Sequence, residues 1–301
     1  MINYLEREDL DLKKYDDCIQ QSIQFNVFGF SWYLNTICDQ WGAYILNDYD
    51  AVMPVPWRKK VCLKYVYPPF WMIHLGIYSK NYEDENEFLI ELFGDFKFVE
   101  LRMNTKNSFS MFKKFQIEKK TQIISLNKGY EEIRGTYNRN RRRELQRAIK
   151  LDLTERWEDT PDGFISLFKK NVGKRIRKVK ESDYKNLQEL INNCLKRRVG
   201  ELLTIYDKDN HLVSGAFFLK QKNRVTELVC ASDFNNRKNG ANTFMNDRAI
   251  YKYQKHFEVF DFGGGSMKKI AKYYKSFGGI DEKYMFIKYN NLPFFLRLFK
   301  R

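Results

Sequence analysis

The sequence predicts a mixed α/β protein. It reads as α+β layers in two similar domains, 1–128 and 129–301, each a mostly antiparallel twisted sheet flanked by helices. Three observations point there. The last third reads as a three-stranded meander followed by helix, strand, helix and strand. The first third has a similar order of two helices, a meander, a helix and a strand. The 301 residues are 43% hydrophobic and 16% aromatic, enough for two cores.

In chain order, residues 12–24 read as a helix, and Ser31 suits the N-cap of a second helix reaching Cys38. Residues 41–46, 51–57 and 61–67 read as consecutive strands, joined by Asn47-Asp48 and Arg58-Lys59-Lys60. Pro54 and Pro56 cannot donate to a ladder, so the middle strand is expected at an edge or bulged. A helix over 83–93 and strands over 96–103 and 121–126 follow. Residues 130–150 read as a very basic helix broken near Gly135. A short strand over 153–157 and helices over 161–170 and 183–197 come next; the second helix carries Leu187, Leu190, Ile191 and Cys194 at helical spacing.

The clearest part is the last. Strands over 201–206, 212–219 and 224–231 are joined by polar turns. The helix from Gly240 to about Lys255 has Ala241, Met245, Ala249 and Tyr253 on one stripe, which should face a sheet. A strand over 259–262, a glycine turn, a helix over 268–276 and a strand over 284–289 complete the order.

Composition narrows the function classes. The formal net charge is +15. That suits an anionic ligand such as a nucleotide, a phosphopantetheine carrier, a tRNA or an anionic lipid surface, and equally a solvated basic surface. The five cysteines form no CxxC pair, so free thiols in a reducing compartment are expected. Residues 1–13 lack an apolar leader core, and no run reaches a membrane span, which points to a cytoplasmic protein. His74, His211 and His256 lack metal-ligand spacing, so no metal is expected. Ser266 follows glycines without a GxSxG elbow, which argues against a serine nucleophile.

Two stretches carry a family resemblance. Phe260-Asp261-Phe262-Gly263-Gly264-Gly265-Ser266 is followed by Tyr273-Tyr274-Lys275-Ser276-Phe277-Gly278-Gly279. This resembles the FemABX peptidyltransferase pattern of an aromatic-Asp-Phe-Gly-Gly turn and a short helix ending in aromatic-Lys-x-x-Phe-Gly. Upstream, Tyr137 to Arg143 leading into Arg147-Ala148 resembles the family's basic stretch. The resemblance spans about residues 130–289. It implies two tandem domains of the GNAT (acyl-CoA N-acyltransferase) type, and transfer of an activated aminoacyl or acyl group to an amine. The donors it implies are aminoacyl-tRNA or, in GNAT enzymes, acyl-CoA; the acceptor is a peptidoglycan precursor in the cell-wall members. A long heptad-patterned helical pair, present in some members, is missing here.

The candidate residues follow from these motifs. Asp261 ends a strand before three glycines; it either orients and deprotonates an amine or caps the turn. Gly263 and Gly264 let backbone N–H groups approach a donor's oxygen. Lys275, near a helix C-terminus, suits an anion and also suits the helix dipole. Arg237, Gly240 and Ala241 partly match the GNAT pyrophosphate loop R/Q-x-x-G-x-G/A, with Asn242 in its last small position. Arg139, Arg141, Arg142 and Arg143 are a candidate anion or acceptor site, or a solvated helix face. Trp57 and Arg58 are a candidate groove rim, or ordinary strand residues.

The reading is therefore an aminoacyl or acyl transferase, acting on a cell-envelope precursor. The alternatives are an acyl-CoA-dependent N-acyltransferase for a small amine, sugar or lipid, and a non-catalytic nucleic-acid or membrane-surface protein. The tail Phe294, Phe295, Leu296, Leu298 and Phe299, with Arg297, Lys300 and Arg301, suits peripheral contact at the inner face of a membrane.

Overall fold

The computed structural model describes residues 1–60, 63–81, 84–176, 179–235 and 237–294. The chain forms two compact units: Met1–Lys119 with Lys283–Arg301, and Lys120–Glu282. The sequence reading had divided it at 128/129.

The first unit opens with a strand that the sequence reading missed, β1 (Ile2–Glu6). Helix α1 (Leu12–Gln21) starts where the Asp11 carboxylate accepts from the N–H groups of Lys13 and Lys14. In α2 (Ser31–Ile37), Ser31 is the first helical residue and not the cap. Its N–H and hydroxyl both donate to Asp16. Strands β2 (Gln40–Leu46), β3 (Ala51–Lys60) and β4 (Leu63–Val66) form the meander. The two-residue β5 (Tyr78–Ser79), α3 (Glu85–Asp95) and β6 (Phe98–Arg102) follow.

Strand β7 (Gln116–Ser125) passes into the second unit. There α4 (Tyr130–Gly135) and α5 (Arg139–Lys150) replace one long helix, with Asn138 capping α5. Next come β8 (Thr154–Arg156), α6 (Pro161–Lys170) with proline at its first position, and α7 (Glu181–Lys196). The expected meander is β9 (Gly200–Tyr206), β10 (Leu212–Lys220) and β11 (Arg224–Ser232). It is followed by α8 (Ala241–Tyr253), β12 (Val259–Asp261), α9 (Lys268–Lys275) and β13 (Ile280–Asn290). The predicted stripe Ala241, Met245, Ala249 and Tyr253 is at most 2% exposed. It packs in a core with Leu203, Phe218, Val225 and Phe260, each such burial contributing about 1.5–3 kcal/mol.

The two units repeat one plan. In the first, β2, β3 and β4 run antiparallel, α3 crosses over, and β6 returns parallel to β4. In the second, β9, β10 and β11 run antiparallel, α8 crosses over, and β12 returns parallel to β11. A further antiparallel strand closes each sheet. For β6 it is β13, with Ile287 opposite Leu101; for β12 it is β7, with Ile124 opposite Phe260. The last strand, expected in the sheet of the C-terminal half, thus completes the first unit's sheet from residue 283 onward.

The prolines of β3 lie inside a sheet and not at its edge. Pro54 and Pro56 stand opposite Ala43 and Trp41 of β2. On the other side, β4 pairs with Trp57–Lys60 and β5 with Ala51–Val52, so both prolines fall between those pairings. Their missing N–H groups cost no ladder bond there.

Gly240 locks α5 onto the start of α8. Its φ is +81°, and a Cβ there would sit 2.5 Å from the Glu144 carbonyl oxygen. Gly240→Ala is expected to destabilise the protein by about 1–3 kcal/mol, because strain and overlap act together. Urea unfolding of the two proteins checks this; equal midpoints would contradict it.

Candidate active site

The predicted glycine motif lies where two parallel strands of the second unit part. β11 and β12 pair only from Arg224/Val259 to Thr226/Asp261. At that level β11 bulges: Phe217 of β10 faces Val229 while Phe218 faces Glu227, leaving Leu228 as the extra residue. β12 meanwhile turns through Gly263 (φ +64°), Gly264 and Gly265 (φ +137°). A Cβ on Gly265 would collide with the Gln122 side chain, whereas one on Gly264 would meet nothing within 4 Å. Gly264 therefore offers backbone that a ligand can approach.

Asp261 shapes this turn. It is 1% exposed. Its Oδ1 accepts from the Thr121 hydroxyl at 2.6 Å and the Gly263 N–H at 2.9 Å. Its Oδ2 accepts from Arg224 Nη1 at 2.8 Å. Arg224 also grips Glu282 with both terminal nitrogens, at 2.8 and 2.6 Å. The turn closes with Gly264 oxygen accepting from the Gln122 N–H at 3.2 Å and the Thr121 hydroxyl at 3.3 Å. A carboxylate with three donors in place is a structural anchor for the glycines.

Lys275 lies at the C-terminal end of α9, where Nζ meets Asp281 Oδ1 at 2.8 Å. Lys120 Nζ reaches Oδ2 of the same carboxylate at 3.2 Å, and Gln122 Nε2 donates to Oδ1 at 3.0 Å. The hydrogen bonds from Lys275 and then Gln122 hold the Asp281 carboxyl well below the ordinary range. Two ammonium groups share the Asp281 carboxylate, while the neighbouring Arg224 guanidinium is shared by two carboxylates, Asp261 and Glu282.

The other predicted residues go elsewhere. Gly240 and Ala241 start α8 under α5: Asn239 Oδ1 takes the Ala241 N–H at 2.8 Å. Thr243 bridges Glu144 at 2.6 Å and Arg141 at 2.7 Å. The protein's own Asn239 thus takes the first N–H group of this helix. Arg237 begins a short turn there, and its side chain lies outside the described residues. Arg141 faces inward, 9% exposed, with its guanidinium 4.6 Å from the Tyr273 ring centre. Arg139, Arg142 and Arg143 are exposed on the same helix. Helical periodicity divides the four arginines, because Leu145 and Ala148 bury the face that Arg141 shares.

Trp57 and Arg58 belong to the first unit. The Trp57 indole donates to Glu6 at 3.2 Å, with Lys64 Nζ 4.3 Å above the ring. Arg58 pairs with Asp39 and lies 4.0 Å over Tyr67. Among the described residues Asp207, Asp209 and His211 bring ligand atoms together in an exposed turn. Asp207 Oδ1 already accepts the N–H groups of Asp209 and His211 there.

Glu227, absent from the sequence reading, is the unusual group. It is 3% exposed, its Oε1 accepts from the Tyr274 hydroxyl at 3.2 Å, and its Oε2 has no hydrogen-bond partner. Burial, with Asp261 nearby, pushes the carboxyl up to about 7. The signal was there to read: an acidic residue inside the apolar run Val225 to Ala231. Arg224, Thr121 and Gln122 were missed because each is far from the motif in sequence, and Asp281 because it lies just past the motif's end.

Two expectations follow. Arg224→Met strands the buried Asp261 and should cost about 3–5 kcal/mol, read by denaturant unfolding; a loss under about 1 kcal/mol would contradict the anchor role. The second concerns pH. Glu227 binds its proton more tightly folded than unfolded, since its carboxyl rises from the ordinary 4.5 to about 7. Its contribution is therefore full below the lower value and lost as pH rises through the higher one. Glu227→Gln should remove a fall of about 3 kcal/mol across that window, seen as a flatter stability-pH curve than the parent's. Parallel curves would show that the group titrates normally.

No protein-family model matches the chain, and no curated protein matches its sequence. Solved structures do match. The crystal structure of FemX is 12% identical, covering 98% of this chain and 99% of that one with a TM-score of 0.66. The structure of L-PGS from Bacillus licheniformis is 12% identical, with 96% and 95% covered and a TM-score of 0.57. A tandem GNAT protein from the clavulanic acid biosynthesis pathway is 8% identical, with 97% and 99% covered and a TM-score of 0.54. At such identities the likeness is one of fold. The chain has the fold of FemX and of tandem GNAT proteins: two GNAT-like domains, each a mostly antiparallel sheet flanked by helices.

Proposed function

We propose that this protein is an acyltransferase that moves an activated aminoacyl group from a charged tRNA onto an amine, with the chemistry at the glycine turn of its second unit. The observation that carries the reading is the parting of β11 and β12 beside Gly264. Backbone there is open to a ligand, beside the ammonium groups of Lys120 and Lys275. The folds of FemX and L-PGS support it.

In this mechanism the neutral amine attacks the ester carbonyl, and the C–O bond to the donor breaks. Backbone N–H groups at the turn face the developing oxyanion, while Lys275 and Lys120 hold an anionic part of donor or acceptor. Asp261 acts by fixing the turn. An activated ester needs no metal for this attack.

The donor assignment rests on α8. A CoA pyrophosphate would use the N–H groups of that helix start, and Asn239 occupies the first of them, that of Ala241, with Glu144 of α5 close against Gly240. Exposed Arg139, Arg142 and Arg143 instead suit a polyanion. The acceptor in this reading is an amine on a cell-envelope precursor, and the site of action is cytoplasmic. Among the described residues no helix is long and apolar enough to cross a membrane. The tail proposed for membrane contact lies outside the described residues except for its start, where Phe294 is exposed.

Native mass spectrometry with charged tRNA, acetyl-CoA and longer acyl-CoAs offered in parallel tests this. Charged tRNA should be retained. Replacing Arg139, Arg142 and Arg143 with Gln should weaken binding and reduce the salt slope by about two to three. Retention of acyl-CoA without tRNA would overturn the donor, and binding of neither would overturn the reading.

A further inference from the structure

Glu227 has no evident structural task. A buried carboxyl ordinarily meets its full set of donors, because an unmet oxygen costs free energy. Glu227 has the 3.2 Å bond from Tyr274 and an interaction with the weakly donating Cys230 thiol, and Oε2 meets no donor in good geometry. Among the described residues no lysine or arginine pairs with it. Its place matters more than its burial. Thr226 makes the last pairing with β12, so Glu227 is the first β11 residue where the strands have parted. Tyr274 stacks 4.2 Å from Phe262, the residue before Gly263. Glu227 is thus linked to the glycine turn through Tyr274 and Phe262.

Other buried atoms point the same way. Asn246 Oδ1 and Arg141 Nε are also unmet. Asn246 lies one helical turn after Asn242, whose side chain donates to the Tyr273 hydroxyl at 2.8 Å, and Arg141 covers the Tyr273 ring. Glu227 contacts Tyr274 and Arg141 contacts Tyr273, while Asn246 is joined to Tyr273 through Asn242.

We propose that Glu227 accepts the proton released by the attacking amine. This deepens the acyl-transfer reading and rests on it. The amine's electron pair forms the C–N bond, and the pair of the C–O bond leaves with the donor's hydroxyl oxygen. The proton of the resulting N–H⁺ passes to Oε2, and from there to the leaving oxygen. The groups around Glu227 suit the exchange. Cys230 on its own strand, Tyr273 and Tyr274 on α9 and Asp261 on β12 supply no fixed positive charge; Arg141 on α5 lies beyond Tyr273. Its carboxyl, raised to about 7 by burial, can therefore both take and return a proton near neutrality.

The test is the pH profile of kcat/KM for aminoacyl transfer by the full chain. The parent should lose activity on the acid side with a midpoint near neutrality. Glu227→Gln should lower the rate about 100-fold or more and abolish that limb. Tyr274→Phe removes a donor that favours the carboxylate, so its limb should move to higher pH. A Glu227→Gln protein that keeps both rate and limb, or a Tyr274→Phe limb that stays in place, overturns the proton role while transfer itself stands. A parent that transfers no acyl group at all overturns the transferase reading, and the proton role with it.

Discussion

The second unit depends on one ion pair, Arg224 with Asp261. Arg224 stands on β11, Asp261 on β12, Thr121 on β7 and Glu282 near the start of β13, so one half-buried guanidinium and one buried carboxylate join four strands. Such a pair is expensive to desolvate and is maintained only when the remaining lone pairs and protons are used. Here they are. Each Asp261 oxygen has a donor, and Arg224 makes a two-pronged contact with Glu282. The glycine turn takes its shape from this arrangement, because the Gly263 N–H is one of the donors.

Three carboxylates within the unit have three fates, set by surroundings alone. Asp261 is buried and saturated with donors. Asp281 reaches solvent between two lysines and is held ionised. Glu227 is buried with weak donors only and is pushed toward its neutral form. Burial without donors raises a carboxyl, and nearby cations lower it. The site thus contains an anchor, a counter-ion for lysines and a group near its titration point, all from the same functional group.

Much of the fold was legible in the sequence. The two meanders, the Pro161 helix start and the α8 stripe follow from local patterns, and their bounds differ by a few residues. The glycine turn was legible too. What local patterns do not report is which distant strand a residue meets. Asp261 reads from the sequence as a group that orients or deprotonates an amine or as a turn cap, and the sequence does not reveal that Thr121 and Arg224 donate to it. Arg141 looked like its neighbours until the helix turned it inward against Tyr273. Pro54 and Pro56 suggested an edge because the sequence gives no sign that β4 and β5 flank them on one side of β3. Glu227 was hidden for the same reason, since a lone acid in a strand takes its meaning from what faces it.

The assignment of residues 283 onward to the first unit has a consequence for biosynthesis. Met1–Lys119 leaves the ribosome long before β13 exists, and until then β6 lacks its antiparallel neighbour. At about 5–20 residues per second the wait is on the order of ten seconds or more. Through that interval the nascent first unit carries an open strand edge, the kind of template that recruits other chains. Glu100 and Arg102 on β6 place charge along that edge. A growing chain of this design completes its first unit only once β13 has been made, so its yield in a cell depends on how well the unfinished sheet is shielded meanwhile.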